Sequence, residues 1–320
     1  MCPSVEVLSA WKKAIKTEPG PGVSASVGFR KGSWGACLSL VLAILFHNLL
    51  FWNVALARDR WSFAAISDIH AAHASYENVL NEINTPTVAG EDRGGPADFL
   101  IVLGDLSPVS VNYGIFERVF SHRRPLFLPA RGNHERKQDL QVIDRRILPA
   151  ATAALGESVN RFSRSGLSYW LDWKGSRVII LDQYADFRKT APNPLALRWL
   201  NKALESAQSV DHVFIGFHEP VFPWNAEDDP LWSILQRHRS VIRGILFGHT
   251  HVYFRTRFPS PFEGIQVINV GNAGQSTHSD GRQTIVCVIV DGGSARVLTL
   301  QAPDGKREFR VSDTFTLNKP

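Results

Sequence analysis

Short apolar runs alternate with amphipathic segments through most of the 320-residue chain. An apolar run of about 4–8 residues without polar alternation is typical of a strand buried on both faces. Such runs predict strands at 61–67, 98–103, 126–130, 167–173, 177–182, 212–217 and 242–247. Apolar residues at helical spacing, as in Leu197, Leu200 and Leu204, belong to predicted helices at 75–84, 111–120, 138–155, 195–207 and 229–236.

The pattern changes after residue 251, where predicted strands follow one another without helices between them. They lie at 252–258, 265–270, 284–290, 295–300 and 307–312. Alternating strands and helices favour parallel βαβ pairing, and the strand-rich tail indicates a second sheet. We therefore expect an α/β fold in which two packed, mostly mixed β-sheets are flanked by helices. A Gly-, Pro- and acid-rich loop is expected at 85–96, and no linker is found after about residue 58.

The segment 36–57 is apolar and carries no formal charge. Arg30 and Lys31 precede it, and Ala55-Leu56-Ala57 ends it, which is the order of a secretory signal. An uncleaved membrane anchor is the alternative, since the segment is just long enough to cross a bilayer. Both interpretations predict a leader at 1–57 and an exported domain at 58–320, either periplasmic, extracellular or anchored facing outside.

Composition adds little beyond these expectations. The formal charge of +5 is concentrated in the basic leader, so the rest of the chain is nearly neutral and shows no clustered basic patch. Nucleic-acid binding is therefore not expected. Of the three cysteines, Cys2 and Cys37 lie in the leader, and Cys287 lies in an apolar run. The exported domain would then form no internal disulfide.

Candidate chemistry follows five of the predicted strands. Potential metal ligands come directly after them: Asp68 and His70, Asp105, Asn133 with His134 beside it, His218, and His249 with His251. Because parallel strands place their carboxyl ends at one edge of a sheet, these side chains should converge. Carboxylate, imidazole and amide ligands together suit Mn, Fe or Zn. Asp105 has two oxygens and could bridge two ions about 4 Å apart.

The motifs D-x-H (Asp68, His70), G-D (Gly104, Asp105), G-N-H-E (132–135), H (His218) and G-H-x-H (248–251) resemble those of the calcineurin-like metallophosphoesterase superfamily. They occur in that family's order and span residues 68–251. The resemblance implies a four-layer sandwich and two metal ions. It assigns Asp68, His70, Asp105 and His251 to one ion, and Asp105, Asn133, His218 and His249 to the other.

The activity implied by the resemblance is hydrolysis of a small-molecule phosphate ester. A hydroxide shared by the two ions would attack phosphorus in line. His134 would protonate the leaving oxygen or stabilise charge on the phosphate. A phosphatase (monoesterase), a phosphodiesterase and a nucleotide pyrophosphatase remain equal alternatives, because the same metal core serves all three.

Pro108 departs from two branches of this family. Protein phosphatases place an Asp there that orients the catalytic histidine, and purple acid phosphatases place an iron-binding Tyr. Neither activity is expected here, and what orients His134 stays open. Two further alternatives are a lipid phosphohydrolase associated with the membrane through residues 36–57, and a non-catalytic binding module. Substrate contacts are unassigned, although loops near the motifs contain His73, Arg136, Tyr184, Trp224 and His278.

Overall fold

Two mixed β-sheets lie at the centre of the computed structural model, which describes residues 60–85, 87–88, 91–92, 97–156, 159–162, 166–188, 192–220, 229–257, 265–274 and 279–318. The leader at 1–57 and its predicted cleavage point lie outside these residues. The strands are β1 (Trp61–Ile66), β2 (Thr87–Val88), β3 (Glu91–Asp92), β4 (Phe99–Leu103), β5 (Leu126–Ala130), β6 (Val159–Arg161), β7 (Tyr169–Trp173), β8 (Ser176–Ile180), β9 (His212–Gly216), β10 (Ile242–Phe247), β11 (Tyr253–Arg257), β12 (Gln266–Val270), β13 (Arg282–Asp291), β14 (Ser294–Pro303) and β15 (Arg310–Leu317).

The first sheet has the strand order β15-β14-β13-β1-β4-β5, and the second has the order β11-β12-β10-β9-β8-β7-β6. Strands β1, β4 and β5 pair in parallel, as do β8, β9, β10 and β12. Antiparallel strands complete both sheets. The predicted α/β class with two mixed sheets is confirmed. The expectation that the strand-rich tail forms the second sheet is only partly right, because β13 to β15 join the first sheet.

Aromatic side chains join the two sheets face to face. Trp61 and Phe63 of β1 lie 6.3 and 5.1 Å, centroid to centroid, from Phe214 of β9. All three side chains are buried. Burial of large aromatic side chains supplies much of the apolar contact area of a core. This interface therefore fixes the two sheets against each other.

Helices cover the outer faces of both sheets. They are α1 (His73–Ile83), α2 (Val109–Val119), α3 (Lys137–Val142), α4 (Leu148–Leu155), α5 (Pro194–Glu205) and α6 (Pro230–Arg237). In α5, Leu200 and Leu204 pack with the apolar side chains of the second sheet. Phe116 of α2 packs on Phe127 of β5, with 4.7 Å between ring centroids. The result is the helix–sheet–sheet–helix order of the predicted four-layer sandwich.

Several element boundaries differ from the predicted ones. The predicted helix at 138–155 is α3 and α4 joined by the π-helical turn Ile143–Ile147, and the predicted loop at 85–96 contains β2 and β3. Strand β15 runs Arg310–Leu317 rather than 307–312. The predicted strand ended too early because Asp313 interrupts the apolar alternation of the sequence. In the structure, Asp313 accepts hydrogen bonds from Tyr253 and Arg255. Among the residues that the structure describes, no helix is long and apolar enough to cross a membrane.

Candidate metal centre

The predicted ligands form one cluster at the carboxyl ends of the parallel strands. Asp68 follows β1, Asp105 follows β4, and Asn133 follows β5 in the first sheet. From the second sheet, His218 follows β9, and His249 and His251 follow β10. Within the cluster, side chains of one sheet contact side chains of the other, so the site depends on both sheets.

Four of these residues make the first ligand set, namely Asp68, His70, Asp105 and His251. One potential ligand atom from each lies within 4.8 Å of all the others. Within this set, His251 Nε2 lies 3.3 Å from Asp68 Oδ1. Bonds of about 2.0–2.2 Å to a shared ion place ligand atoms roughly 3–4.4 Å from one another. The set is therefore close to the arrangement that an ion requires.

The residues of the second predicted ligand set lie around His218. Its Nε2 atom lies 2.8 Å from Asn133 Oδ1, 3.3 Å from His249 Nδ1 and 3.4 Å from Asp105 Oδ2. His249 Nδ1 is also 3.2 Å from Asn133 Oδ1. Four nitrogen and oxygen atoms thus meet around one point, in a combination that suits a transition metal.

Asp105 belongs to both sets. Its Oδ2 atom lies 3.7 Å from His70 Nε2 in the first set and 3.4 Å from His218 Nε2 in the second. Its Oδ1 atom accepts a hydrogen bond of 2.9 Å from the backbone N–H of His134. The bond to Oδ1 therefore fixes the orientation of the Asp105 carboxylate, and Oδ2 lies between the two ligand sets, where a bridging ligand would lie.

The residues present fit metal ions on two further observations. Asp68 and Asp105 are buried carboxylates, and Asp68 Oδ1 has no hydrogen-bond partner in the described part of the chain. Buried carboxylates of this kind require a cation. His218 Nδ1 lies 2.7 Å from the carbonyl oxygen of Leu103, which holds a proton on Nδ1 and makes Nε2 the nitrogen that faces the cluster.

The electrostatics of the protein alone also favour a cation here. Burial by itself would raise the pKa of Asp105, but the hydrogen bond and charge of His218 lower it to about 2. Burial opposes charge on His218, yet the Asp105 hydrogen bond and the nearby carboxylates raise its pKa to about 9. The close contact with the Asp68 carboxylate likewise raises the pKa of His251, whereas burial lowers that of His70. Proton retention on His218 and His251 reflects the negative potential of the two carboxylates.

The backbone at the ligands adopts an unusual conformation. Within the described residues, left-handed φ values occur at six non-glycine positions, and five are predicted ligands: Asp68 (56°), His70 (49°), Asp105 (53°), His249 (69°) and His251 (60°). Such backbone costs about 1–3 kcal/mol per residue and persists only where the surroundings enforce it. The turns direct the side chains back over the strand ends, so the strain is concentrated at the site.

Two glycines allow the ligand loops to approach closely. A Cβ atom on Gly248 would lie 1.8 Å from Ser67 Oγ, and one on Gly274 would lie 2.3 Å from the carbonyl oxygen of Ile69. Gly248 precedes His249, and Ser67 and Ile69 flank Asp68. The Asn272 side chain accepts a hydrogen bond from Gly274 N–H at 3.1 Å and fixes this turn. The Gly271-Asn272-Ala273-Gly274 turn after β12 was not predicted, although its Gly-Asn pair at a strand end was a usable signal.

Glu135 is a second residue whose role was missed, although it lies in the quoted G-N-H-E motif. Its buried carboxylate accepts hydrogen bonds from the backbone N–H groups of Asp105 (3.1 Å), Ser107 (3.0 Å) and Gly132. Burial and the charge of Asp105 raise its pKa to about 7. Glu135 therefore joins the loop that carries Asp105 to the loop that carries Asn133.

His134 lies at the rim of the cluster. Its side chain is 58% exposed, and Nε2 is 3.9 Å from Asp105 Oδ2. The ring meets the His70 ring edge-on at a centroid distance of 4.8 Å. The structure therefore orients His134 through its backbone bond to Asp105 and this ring contact. Pro108 precedes the first residue of α2 and takes no part in that contact.

The loop residues left unassigned have mostly structural contacts. His73 Nδ1 lies 3.0 Å from Asn112 Oδ1, and Asn112 Nδ2 donates to the carbonyl oxygen of His70 at 2.8 Å. Arg136 precedes α3, and the hydroxyl of Tyr184 donates to Glu219 Oε1 at 2.7 Å. The predicted positions Trp224 and His278 lie outside the described residues. Asn112 thus supports the backbone of a predicted ligand.

The family model for calcineurin-like phosphoesterases matches residues 62–253. This match spans more than half of the chain and includes every predicted ligand. The chain therefore belongs to the calcineurin-like phosphoesterase family, and the resemblance of its motifs is confirmed. No curated protein matches the chain.

Solved structures with a similar fold include PhoD, at 13% identity and a TM-score of 0.48, covering 81% of this chain and 72% of PhoD. Vps29 from Chaetomium thermophilum has 13% identity and a TM-score of 0.43, covering 81% and 100% of the two chains. A conserved protein of Streptococcus pneumoniae TIGR4, described as a predicted phosphoesterase, has 14% identity and a TM-score of 0.39, covering 80% and 98%. Similarity at this level concerns the fold alone.

Proposed function

We propose that this chain is an exported phosphoric ester hydrolase that depends on two transition-metal ions. The observation that carries the proposal is the position of Asp105 Oδ2 between His70 Nε2 at 3.7 Å and His218 Nε2 at 3.4 Å. A carboxylate oxygen shared by two ligand sets is the arrangement that two-metal hydrolases use. Family membership and the candidate metal cluster support the same function.

Each of the two ligand sets would hold one metal ion. Asp68, His70, Asp105 and His251 would hold one ion. Asp105, Asn133, His218 and His249 would hold the other. Oxygen and imidazole ligands without cysteine favour Mn, Fe or Zn. When bound, two such ions supply Lewis acidity that activates water and neutralises charge on a phosphoryl group.

The chain itself supplies the proton for the leaving group. His134 is exposed at the rim, beside the bridging carboxylate, and its backbone N–H is fixed on Asp105 Oδ1. Its Nε2 atom can therefore reach an ester oxygen of a substrate placed over the cluster. A positioned acid of this kind typically contributes about 10²–10⁴-fold to the rate.

Export rests on the sequence of residues 1–57 alone. Protein recovered from outside the cytoplasm should begin at Arg58 if the leader is cleaved after Ala57. An intact leader on membrane-bound protein would identify an anchor instead. Protein found only in the cytoplasm would contradict export.

The activity is tested with a substrate panel on purified protein supplied with Mn²⁺, Zn²⁺ or Fe²⁺. Hydrolysis of p-nitrophenyl phosphate over bis-p-nitrophenyl phosphate would identify a monoesterase, and the reverse preference a diesterase. Activity only on phospholipid esters in vesicles would identify a lipid phosphohydrolase. Metal-loaded protein that hydrolyses none of these would contradict the proposal and favour a non-catalytic binding module.

A further inference from the structure

A cavity of about 440 Å³ opens beside the metal centre. This volume lies within the range of about 300–1,000 Å³ typical of small-molecule sites. The side chains that matter for its chemistry are Arg131, Lys137, Leu140, Arg145, Leu167 and Asp182. Three of these are cationic, and the two leucines supply apolar surface between them.

The wall of the cavity is continuous with the metal-centre loops. Arg131 follows β5 and lies two residues before Asn133. Glu135 also lines the cavity, and its carboxylate accepts the backbone N–H of Asp105 at 3.1 Å. The loop that contains Asp182 is fixed to Glu219, next to His218, through the Tyr184 hydroxyl. A molecule bound at the metals could therefore extend into this cavity.

The acidic side chains in the wall already have partners. Asp144 is bonded to Arg161, and Glu135 accepts three backbone N–H groups. Asp182 accepts the backbone N–H groups of Tyr184 and Ala185, each at 3.0 Å. Within the described residues, by contrast, neither Lys137 nor Arg145 has an ion-pair partner. Three cations and three carboxylates thus line the cavity, and Lys137 and Arg145 are the charged groups left available to a bound anion.

Contacts with Asp182 and Tyr184 fix the Arg131 side chain where it can bind an anion. Its guanidinium lies 3.8 Å from Asp182 Oδ1 and 5.3 Å from the centroid of the Tyr184 ring. The Arg131 side chain is 24% exposed, so part of the group remains accessible. A guanidinium fixed between a carboxylate and an aromatic ring loses little freedom when it binds phosphate or carboxylate.

We propose that the cavity binds a second anionic group on the leaving-group side of the substrate. The substrate would then be a phosphate ester whose alcohol carries another phosphate or a carboxylate. This inference rests on the proposed hydrolase function and deepens it. Water supplies the oxygen that joins phosphorus as the P–O ester bond breaks, His134 gives its proton to the leaving alkoxide and regains one from that water, and the second anion stays intact against Arg131, Lys137 and Arg145.

The test compares bisphosphates of linear diols with three to six carbons against the monophosphates of the same diols. The alcohol and the type of scissile bond are then matched, although the bisphosphate has two equivalent phosphoryl groups and so a statistical advantage of about twofold. We expect kcat/KM to exceed this twofold advantage for the bisphosphate at one chain length or more, mainly through a lower KM. A ratio of two or less at every length would overturn the inference but leave the hydrolase function standing. Hydrolysis of no ester at all would overturn both.

Removal of the cavity cations gives the second readout. In Lys137→Gln/Arg145→Gln, the ratio of kcat/KM for bisphosphate over monophosphate should fall about tenfold, in proportion to the loss of charge-assisted contacts. Arg123→Gln is the control for a single lost charge, because Arg123 is exposed beyond the end of α2. That variant should keep the ratio of the wild type. An unchanged ratio in the double variant, or an equal loss in the control, would contradict binding in this cavity.

Discussion

Gly248→Ala should disturb the metal centre although it changes no ligand. The new Cβ atom would lie 1.8 Å from Ser67 Oγ, 2.6 Å from Ser67 Cβ and 2.9 Å from Asp68 Oδ2. Real side chains do not approach so closely, so Ser67 or the loop that carries His249 must move. Ser67 is buried, and its hydroxyl donates to the carbonyl oxygen of Leu103 at 2.8 Å, so it has little freedom to yield.

These contacts set the expected loss of stability and of metal affinity in Gly248→Ala. Overpacking a buried site by one methyl group costs about 1–3 kcal/mol. Loss of the hydrogen bond between Ser67 and Leu103 adds about 1 kcal/mol, although the Leu103 carbonyl keeps its contact with His218 Nδ1. The free energy of unfolding should fall by about 2–4 kcal/mol, which lowers Tm by about 5–10 °C. Displacement of Asp68 should weaken metal binding by about 10–100-fold.

Thermal unfolding and metal titration measure the two effects. Gly114→Ala is the matched control, because a Cβ at this position in α2 meets no atom within 4 Å and alanine is the better helix former. In a Ser67→Gly background, which removes the two closest atoms and leaves only Asp68 Oδ2 at 2.9 Å, Gly248→Ala should cost much less. Gly248→Ala protein that unfolds and binds metal like the wild type would refute the close approach of these loops.

Other predictions concern single side chains. Asp105→Ala should reduce metal content at both sites, whereas His70→Ala should reduce it at one, and two ions retained by Asp105→Ala in elemental analysis would refute bridging. His134→Gln should keep the metals but lower turnover about 10²–10⁴-fold on an alkyl phosphate and less on p-nitrophenyl phosphate, whose leaving group needs no proton; equal losses on both substrates would contradict proton donation. Burial alone would raise the pKa of Asp313, but hydrogen bonds from Arg255 and Tyr253 lower it. Ionised Asp313 therefore stabilises the fold above about pH 4, and this contribution disappears as the pH falls through its lowered pKa. Asp313→Asn should lower Tm by roughly 1–2 °C at pH 7 and by less at pH 3, whereas an equal loss at both values would contradict a charge effect.

The sequence predicted the part of the site that depends on strand direction. Buried parallel strands have continuous apolar sequences, and the polar residue that follows such a sequence lies at the carboxyl end of its strand. The strand pattern therefore predicts that Asp68, Asp105 and His218 lie at one edge, as they do in the structure. The mixed-sheet class followed from the same pattern. The division of the last strands between the sheets did not, because apolar content carries no information about pairing partners.

The contacts that shape the site depend on geometry that residue order does not reveal. Left-handed φ values at Asp68 and His249 are stabilised by loops of the other sheet, and no local pattern predicts them. Gly274 is required only because its turn approaches the carbonyl oxygen of Ile69, more than two hundred residues earlier in the chain. Glu135 lies in the G-N-H-E motif, whose sequence indicates only the ligand Asn133 and the neighbouring His134. The three backbone N–H groups that Glu135 accepts depend on how two loops meet in the fold.

A metal titration of activity tests the central claim most directly. Protein stripped with a chelator should lose hydrolysis of p-nitrophenyl phosphate, or of its bis ester if the protein is a diesterase. Stepwise addition of Mn²⁺ or Zn²⁺ should restore the rate and reach a plateau at two ions per chain, because the two ligand sets share Asp105. Full activity in the stripped protein, or a plateau at one ion, would contradict a dinuclear hydrolytic centre.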